Sequence, residues 1–187
     1  ILMFEKEKYF IPAGETISVP YNVRIGENFK GSVCVKAEFE VEREEQQTIT
    51  LVVSVPIYLI ALGTEKIDFD IDSIKLIDLD DPRDSQRGIY YKLVLRNDGN
   101  VHIRHSGQVD IYYKNKKNLV KTVNIPETVP TYCESKREFT EHLIQRSELK
   151  EGKYIAVFKI RAFGAEIEKK IKFNVDKNGM LIVEHKK

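Results

Sequence analysis

The residues best typed to do chemistry are His102 and His105, which stand three apart with Ile103 and Arg104 between. On a strand, residues three apart face opposite sides, so the two imidazoles do not converge on one ion. Loop and strand-end polarity is the reading they support; His142 and His185 are isolated. Asp68, Asp70 and Asp72 alternate with Ile67, Phe69 and Ile71, as on a solvated strand face. Asp78, Asp80, Asp81 and Asp84 make a better hard-cation loop, yet they lack the glycine and closing glutamate of an EF-hand. Lys114 to Lys117, KNKK, lies between two alternating runs and reads as a hairpin tip. A phosphate or lipid headgroup is the ligand such a patch would take. The serines fall outside any nucleophile-elbow sequence, Cys34 and Cys133 outside any short reactive motif, and no glycine-rich phosphate loop is present. The expectation is a protein with no catalytic residues, no metal and no cofactor.

Composition narrows the class further. Of 187 residues, 42% are hydrophobic and 32% charged, enough apolar material for a core. Lys+Arg of 30 against Asp+Glu of 29 leaves a net charge of +1, which argues against a general nucleic-acid binder. The apolar stub ILMF before Glu5 is too short for a signal peptide or a membrane span, so direct membrane insertion is not expected. A chain opening at Ile1 reads as a processed or trimmed product. Two cysteines so far apart suit free buried thiols, with a disulfide the open alternative.

Turn residues recur at short spacing: Pro12-Ala13-Gly14, Gly26-Glu27-Asn28, Asp80-Asp81-Pro82, Asn97-Asp98-Gly99-Asn100, Lys150-Glu151-Gly152 and Lys177-Asn178-Gly179. Between them apolar residues alternate, rich in Val, Ile, Tyr and Phe, which is the pattern of an all-β sandwich or barrel. Strands are predicted near 4–11, 15–25, 32–42, 48–60, 66–78, 88–97, 101–105, 107–114, 118–124, 136–144, 153–163 and 166–175. Only Glu141 to Leu149 could pass for a helix. The expected organisation is two immunoglobulin-like β-sandwich domains, 1–63 and 64–176, with a tail over 177–187.

A repeat supports this division. Ile25 to Ala37 (IGENFKGSVCVKA) and Leu149 to Phe158 (LKEGKYIAVF) each set a glycine after a charged turn and then start an alternating strand. Leu149, Gly152 and Tyr154 have the spacing of a tyrosine corner, in which a Tyr hydroxyl bonds back to the backbone. Val33 takes the Tyr position in the first copy. If both domains end in this hairpin, the first has only about four strands, too few to close a sandwich. Its N-terminal part is then incomplete, trimmed away or supplied by another chain.

The stretch around which the chain is organised is Thr48 to Ile60, TITLVVSVPIYLI. Ile49, Leu51, Val53, Val55, Ile57 and Leu59 alternate along it, and it holds no Lys, Arg, Asp or Glu. An uncharged strand of this length invites pairing with another chain unless something covers it. Its apolar face turns either into the protein's own core or toward a partner; one strand does not decide between the two. Pro56 removes a ladder donor and so should sit at an open edge or a bulge.

The chain resembles the periplasmic pilus-assembly chaperones of the PapD-like kind. Thr48 to Ile60 is similar to their long alternating G1 strand. Leu95 to Gly107 (LRNDGNVHIRHSG) is similar to the Asn-x-Gly-Asn stretch of their second domain, and Gly152-Lys153-Tyr154 through Phe173-Asn174-Val175 to its ending. The resemblance implies two immunoglobulin-like domains, a periplasmic or cell-surface location, and strand lending to pilin-like subunits. Leu51, Val53, Val55 and Ile57 would be the partner-binding residues, and Asn97, Gly99, Asn100, Gly152 and Tyr154 the structural motif. Self-association through the exposed strand is the other partner it allows. One departure is plain: the family's subunit-anchoring lysine within this strand is missing, for no Lys or Arg lies between Arg43 and Lys66. The competing function is a structural or adhesive surface module built of tandem sandwiches.

Overall fold

The computed structural model describes residues 2–41, 51–79, 88–115, 117–127, 129–177 and 180–183. Every regular element among them is a strand, apart from one 3₁₀ turn at Arg146–Glu148. The chain divides into two compact units, Ile1–Glu65 and Lys66–Lys187.

The first unit holds β1 (Leu2–Phe4), β2 (Tyr21–Val23), β3 (Gly31–Val41) and β4 (Leu51–Ala61). They form two separate two-stranded antiparallel sheets, β1-β2 and β3-β4. The strands expected over 4–11 and 15–25 are therefore corrected: only Leu2–Phe4 and Tyr21–Val23 pair. Pro12 and Pro20 donate nothing to a ladder, and the Pro12 carbonyl closes a turn onto the Glu15 amide at 3.1 Å. Gly14, at φ 80, supplies the left-handed residue of that turn.

The second unit is a β-sandwich. One sheet orders β5 (Phe69–Leu79), β6 (Gly88–Asn97) and β9 (Ser135–Gln145) as β5-β6-β9. The other orders β7 (Ser106–Tyr113), β8 (Leu119–Ile125), β10 (Gly152–Ala162), β11 (Ala165–Val175) and β12 (Leu181–Val183) as β12-β11-β10-β7-β8. Alternation along β6 sends Ile89, Tyr91, Leu93 and Leu95 inward. They meet Phe158, Ile160 and Phe173 from the opposite sheet in one cluster. Tyr91 and Phe158 join the layers edge to face, with ring centroids 5.3 Å apart.

Several expectations change here. Residues 101–105 form no strand but cross between the sheets, fixed by one bridge, Ile103↔Thr131. Val101 and Ile103 are buried along that crossing, which explains their alternation. Glu141 to Leu149 is the end of β9 followed by the 3₁₀ turn, not a helix. Leu181–Val183 pairs with β11, so the sheet takes in what the sequence suggested as tail. His102 and His105 are buried, not polar strand ends in solvent. Cys34 and Cys133 are not joined by a disulfide, and both are half-buried rather than enclosed.

Candidate functional site: the β3–β4 hairpin

The register of β3 with β4 runs without a break from Gly31↔Ala61 to Val41↔Leu51. Cross-strand partners share a face. One face therefore carries Val53, Val55, Ile57 and Leu59 opposite Phe39, Ala37, Val35 and Val33, with Leu51 continuing it at the start of β4. The other carries Ser32, Cys34, Lys36, Glu38 and Glu40 opposite Ile60, Tyr58, Pro56, Ser54 and Val52. Lys36 and Glu38 pair at 2.6 Å on that polar side. The Lys36 hydrogen bond, helped by its charge, holds the Glu38 carboxyl below its ordinary pKa.

The four residues assigned to partner binding thus stand on one face, and that face is only partly covered. Leu51 is 55% exposed, Val53 45% and Val55 43%, whereas Ile57 is half-buried. Phe4 lies edge-on to Phe39, centroids 5.5 Å apart, and Ala37, two residues before Phe39 on this face, is buried. Among the described residues, Ala37 is the lone fully buried apolar side chain of the first unit. β4 pairs with β3 along one edge, and no other strand of the described residues takes its second edge. Pro56 is tolerated in such an edge strand. Thr48 to Thr50 of the stretch singled out in the sequence lie outside the described residues.

The hairpin is anchored at its open end. Thr64 Oγ1 donates to the Ala61 carbonyl and accepts from the Gly31 amide, both at 2.8 Å. The Thr64 amide also reaches Ala61 O at 3.2 Å, with Gly63 at φ 80 completing the turn.

The motif residues of the second unit have structural work. The Asn97 side chain is fully buried and donates to the carbonyls of Val101 (2.7 Å) and Thr131 (3.2 Å). Its Oδ1 accepts from the Gly99 amide at 3.0 Å. Asn100 Oδ1 accepts from the Lys66 amide at 2.6 Å, and its own amide donates to Lys66 O at 3.0 Å. The turn therefore ties the chain leading into β5 to the crossing between sheets. The Tyr154 hydroxyl donates to Lys150 O and accepts from Lys150 N–H, each at 2.9 Å. Gly152, at φ 143, leaves room for the Tyr113 ring, which a Cβ would meet at 2.6 Å.

The remaining candidates scatter. Asp72 bonds Lys136 Nζ at 2.9 Å, and Asp78 pairs with Arg146; Asp80 to Asp84 fall outside the described residues. Among the described residues no group of three or more His, Cys, Asp or Glu is placed to hold a metal, and no helix is long and apolar enough to cross a membrane. Sequence reasoning missed Asp110, which is buried on the outward face of the five-stranded sheet. Burial pushes its carboxyl up, but hydrogen bonds from Lys159 (2.7 Å), Thr122 (2.8 Å) and Gln108 (3.0 Å) outweigh this and hold it low. Only the strand register brings those four residues together, so linear spacing held no sign of them.

No family model, curated protein or solved structure matches this chain.

Proposed function

We propose that this protein is a non-enzymatic binder of other polypeptides that works by β-strand addition along β4, as a chaperone of extracytoplasmic subunits does. The observation that carries the reading is the hairpin itself: an uncharged eleven-residue strand that pairs along one edge, has no partner on the other among the described residues, and sets three exposed aliphatic side chains in a row on one face. Strand addition draws affinity from backbone bonds and selectivity from alternate side chains. Covering Leu51, Val53 and Val55 from half-exposure contributes roughly 1 kcal/mol apiece. Each new ladder bond adds about 1 kcal/mol net. The sequence resemblance to PapD-like chaperones supports the same reading and suggests the periplasm or cell surface. The lysine with which that family anchors its subunits has no counterpart in β4.

The test uses synthetic extended peptides with apolar residues at alternate positions, against scrambled peptides of the same composition. The alternating peptides should bind and slow hydrogen exchange at β4 amides, and Val53→Asp should abolish this while the second unit stays folded. Equal binding of scrambled peptides, or undiminished binding by Val53→Asp, refutes strand addition. Concentration-dependent sedimentation without peptide would instead identify a second copy as the occupant.

A further inference from the structure

Among the described residues, two groups of cations stand on the outward face of the five-stranded sheet. Toward the β10–β11 turn, each has a carboxylate: Lys159 with Asp110 at 2.7 Å, Lys170 with Glu168 at 2.9 Å, and Arg161 with Glu166 at 2.5 Å. At the other end Lys114, Lys153 and Lys172 line a shallow depression of about 170 Å³ together with Asn174 and Ile155. These three ammonium groups have no ion pair among the described residues.

The fold holds them there at some cost. Lys114 takes a left-handed backbone, φ 60, which a residue with a side chain adopts reluctantly. Its amide donates to the Lys153 carbonyl at 2.7 Å, tying the β7–β8 tip to β10. Its Nζ lies 5.1 Å from the centroid of the Tyr113 ring, a cation–π contact. Lys153 lies opposite Asn174 and Ile155 opposite Lys172 in the β10–β11 register, so Lys153 and Lys172 are diagonal neighbours on one face. Like charges so placed repel unless an anion sits between them.

We propose that Lys114, Lys153 and Lys172 form a binding site for one doubly charged tetrahedral oxyanion, a phosphate or sulfate group. Lys153 and Lys172 from two neighbouring strands and Lys114 from the β7–β8 tip line one depression with Asn174, and their ammonium groups are the donors that the oxygens of such a group accept. The KNKK run supplies one of the three through Lys114; the other two come from strands far away in sequence. The site is independent of the β4 hairpin.

The experiment titrates the full chain with inorganic phosphate, inorganic sulfate and a sugar phosphate monoester, following backbone amide resonances. Saturable shifts should centre on residues 114, 153–155 and 172–174 at millimolar ligand or below, and weaken as salt rises. Lys153→Ala with Lys172→Ala should weaken binding by roughly tenfold or more, about 1.4 kcal/mol. Lys170→Ala, on the same face but ion-paired, should leave it unchanged. Surface lysine changes of this kind leave folding nearly intact, so lost binding is not lost structure. Tighter binding of the monoester than of inorganic phosphate would identify a displayed ester as the ligand, and equal binding the free anion. Shifts that never saturate, or an equal loss in Lys170→Ala, overturn the proposal.

Discussion

Acid should weaken the second unit through His105. Its imidazole is 1% exposed and lies 4.4 Å, centroid to centroid, from the Phe139 ring. Burial pushes its pKa down from 6.5 to about 4. The folded protein therefore keeps the ring neutral where the unfolded chain has already taken a proton. Between pH 6.5 and 4 the unfolded state holds more protons, so stability falls as pH falls. A tenfold drop in proton affinity is worth about 1.4 kcal/mol, so the whole window amounts to roughly 3 kcal/mol. Against a typical stability of about 5–15 kcal/mol, that is a large share. His102, lowered by burial and then by Arg104, deepens the same window. Carboxylates act lower on the pH scale. Asp72 and Glu148, held down by hydrogen bonds from Lys136 and Lys121, give up their stabilisation only below the ordinary carboxylate range. Urea unfolding followed by far-UV circular dichroism suits a chain without tryptophan. Midpoints should fall steadily from about pH 6.5 to 4. His105→Phe keeps a ring against Phe139 and cannot be protonated, so its curve should flatten across that window. Parallel curves for the two proteins would refute the assignment of the slope to His105.

Two further substitutions test the second unit's ties. Tyr154→Phe leaves the ring stacked on Phe173, centroids 5.2 Å apart, but removes both hydroxyl bonds to Lys150. A loss of about 1–2 kcal/mol is expected, read as a lower denaturation midpoint at unchanged slope. Gly99→Ala puts a Cβ 2.3 Å from the Lys66 carbonyl oxygen, so backbone must move. It should cost roughly 1–3 kcal/mol and speed hydrogen exchange at the amides of Asp98 and Asn100, which bond to Asp68 and Lys66.

The strands of the second unit were legible because each buries one face. Period-two patterning located β6 through β11 to within a residue or two. The same pattern misled at 101–105, where Val101, Ile103 and His105 alternate inward along a crossing with no ladder beside it. That alternation also held the sign that His105 is buried, which the three-residue spacing from His102 does not show. Tyr9, Phe10 and Ile11 make an apolar run that pairs with no strand among the described residues, and an apolar run by itself does not form a sheet. The KNKK run pointed to Lys114, but nothing local pointed to Lys153 and Lys172 beside it or to the Asp110 network. Those residues meet only through cross-strand register, which no local window of sequence contains.

Two hairpins of equal length meet different surroundings. β3 and β10 both start at a glycine of positive φ, Gly31 and Gly152, and each is eleven residues long with an eleven-residue partner. Locally they follow the same instructions. Two residues past each glycine the outcomes part. Tyr154 is buried, stacked on Phe173 and bonded to Lys150, whereas Val33 is exposed. β10 has β7 on its second edge and the opposite sheet over its inner face. Among the described residues, β4 has β3 alone. A two-stranded hairpin is marginal in water without a third strand or a covering layer. Among the described residues the long aliphatic face of β3–β4 thus has no third strand, and a strand added along β4, as proposed above, would supply stabilisation that its own two strands do not provide.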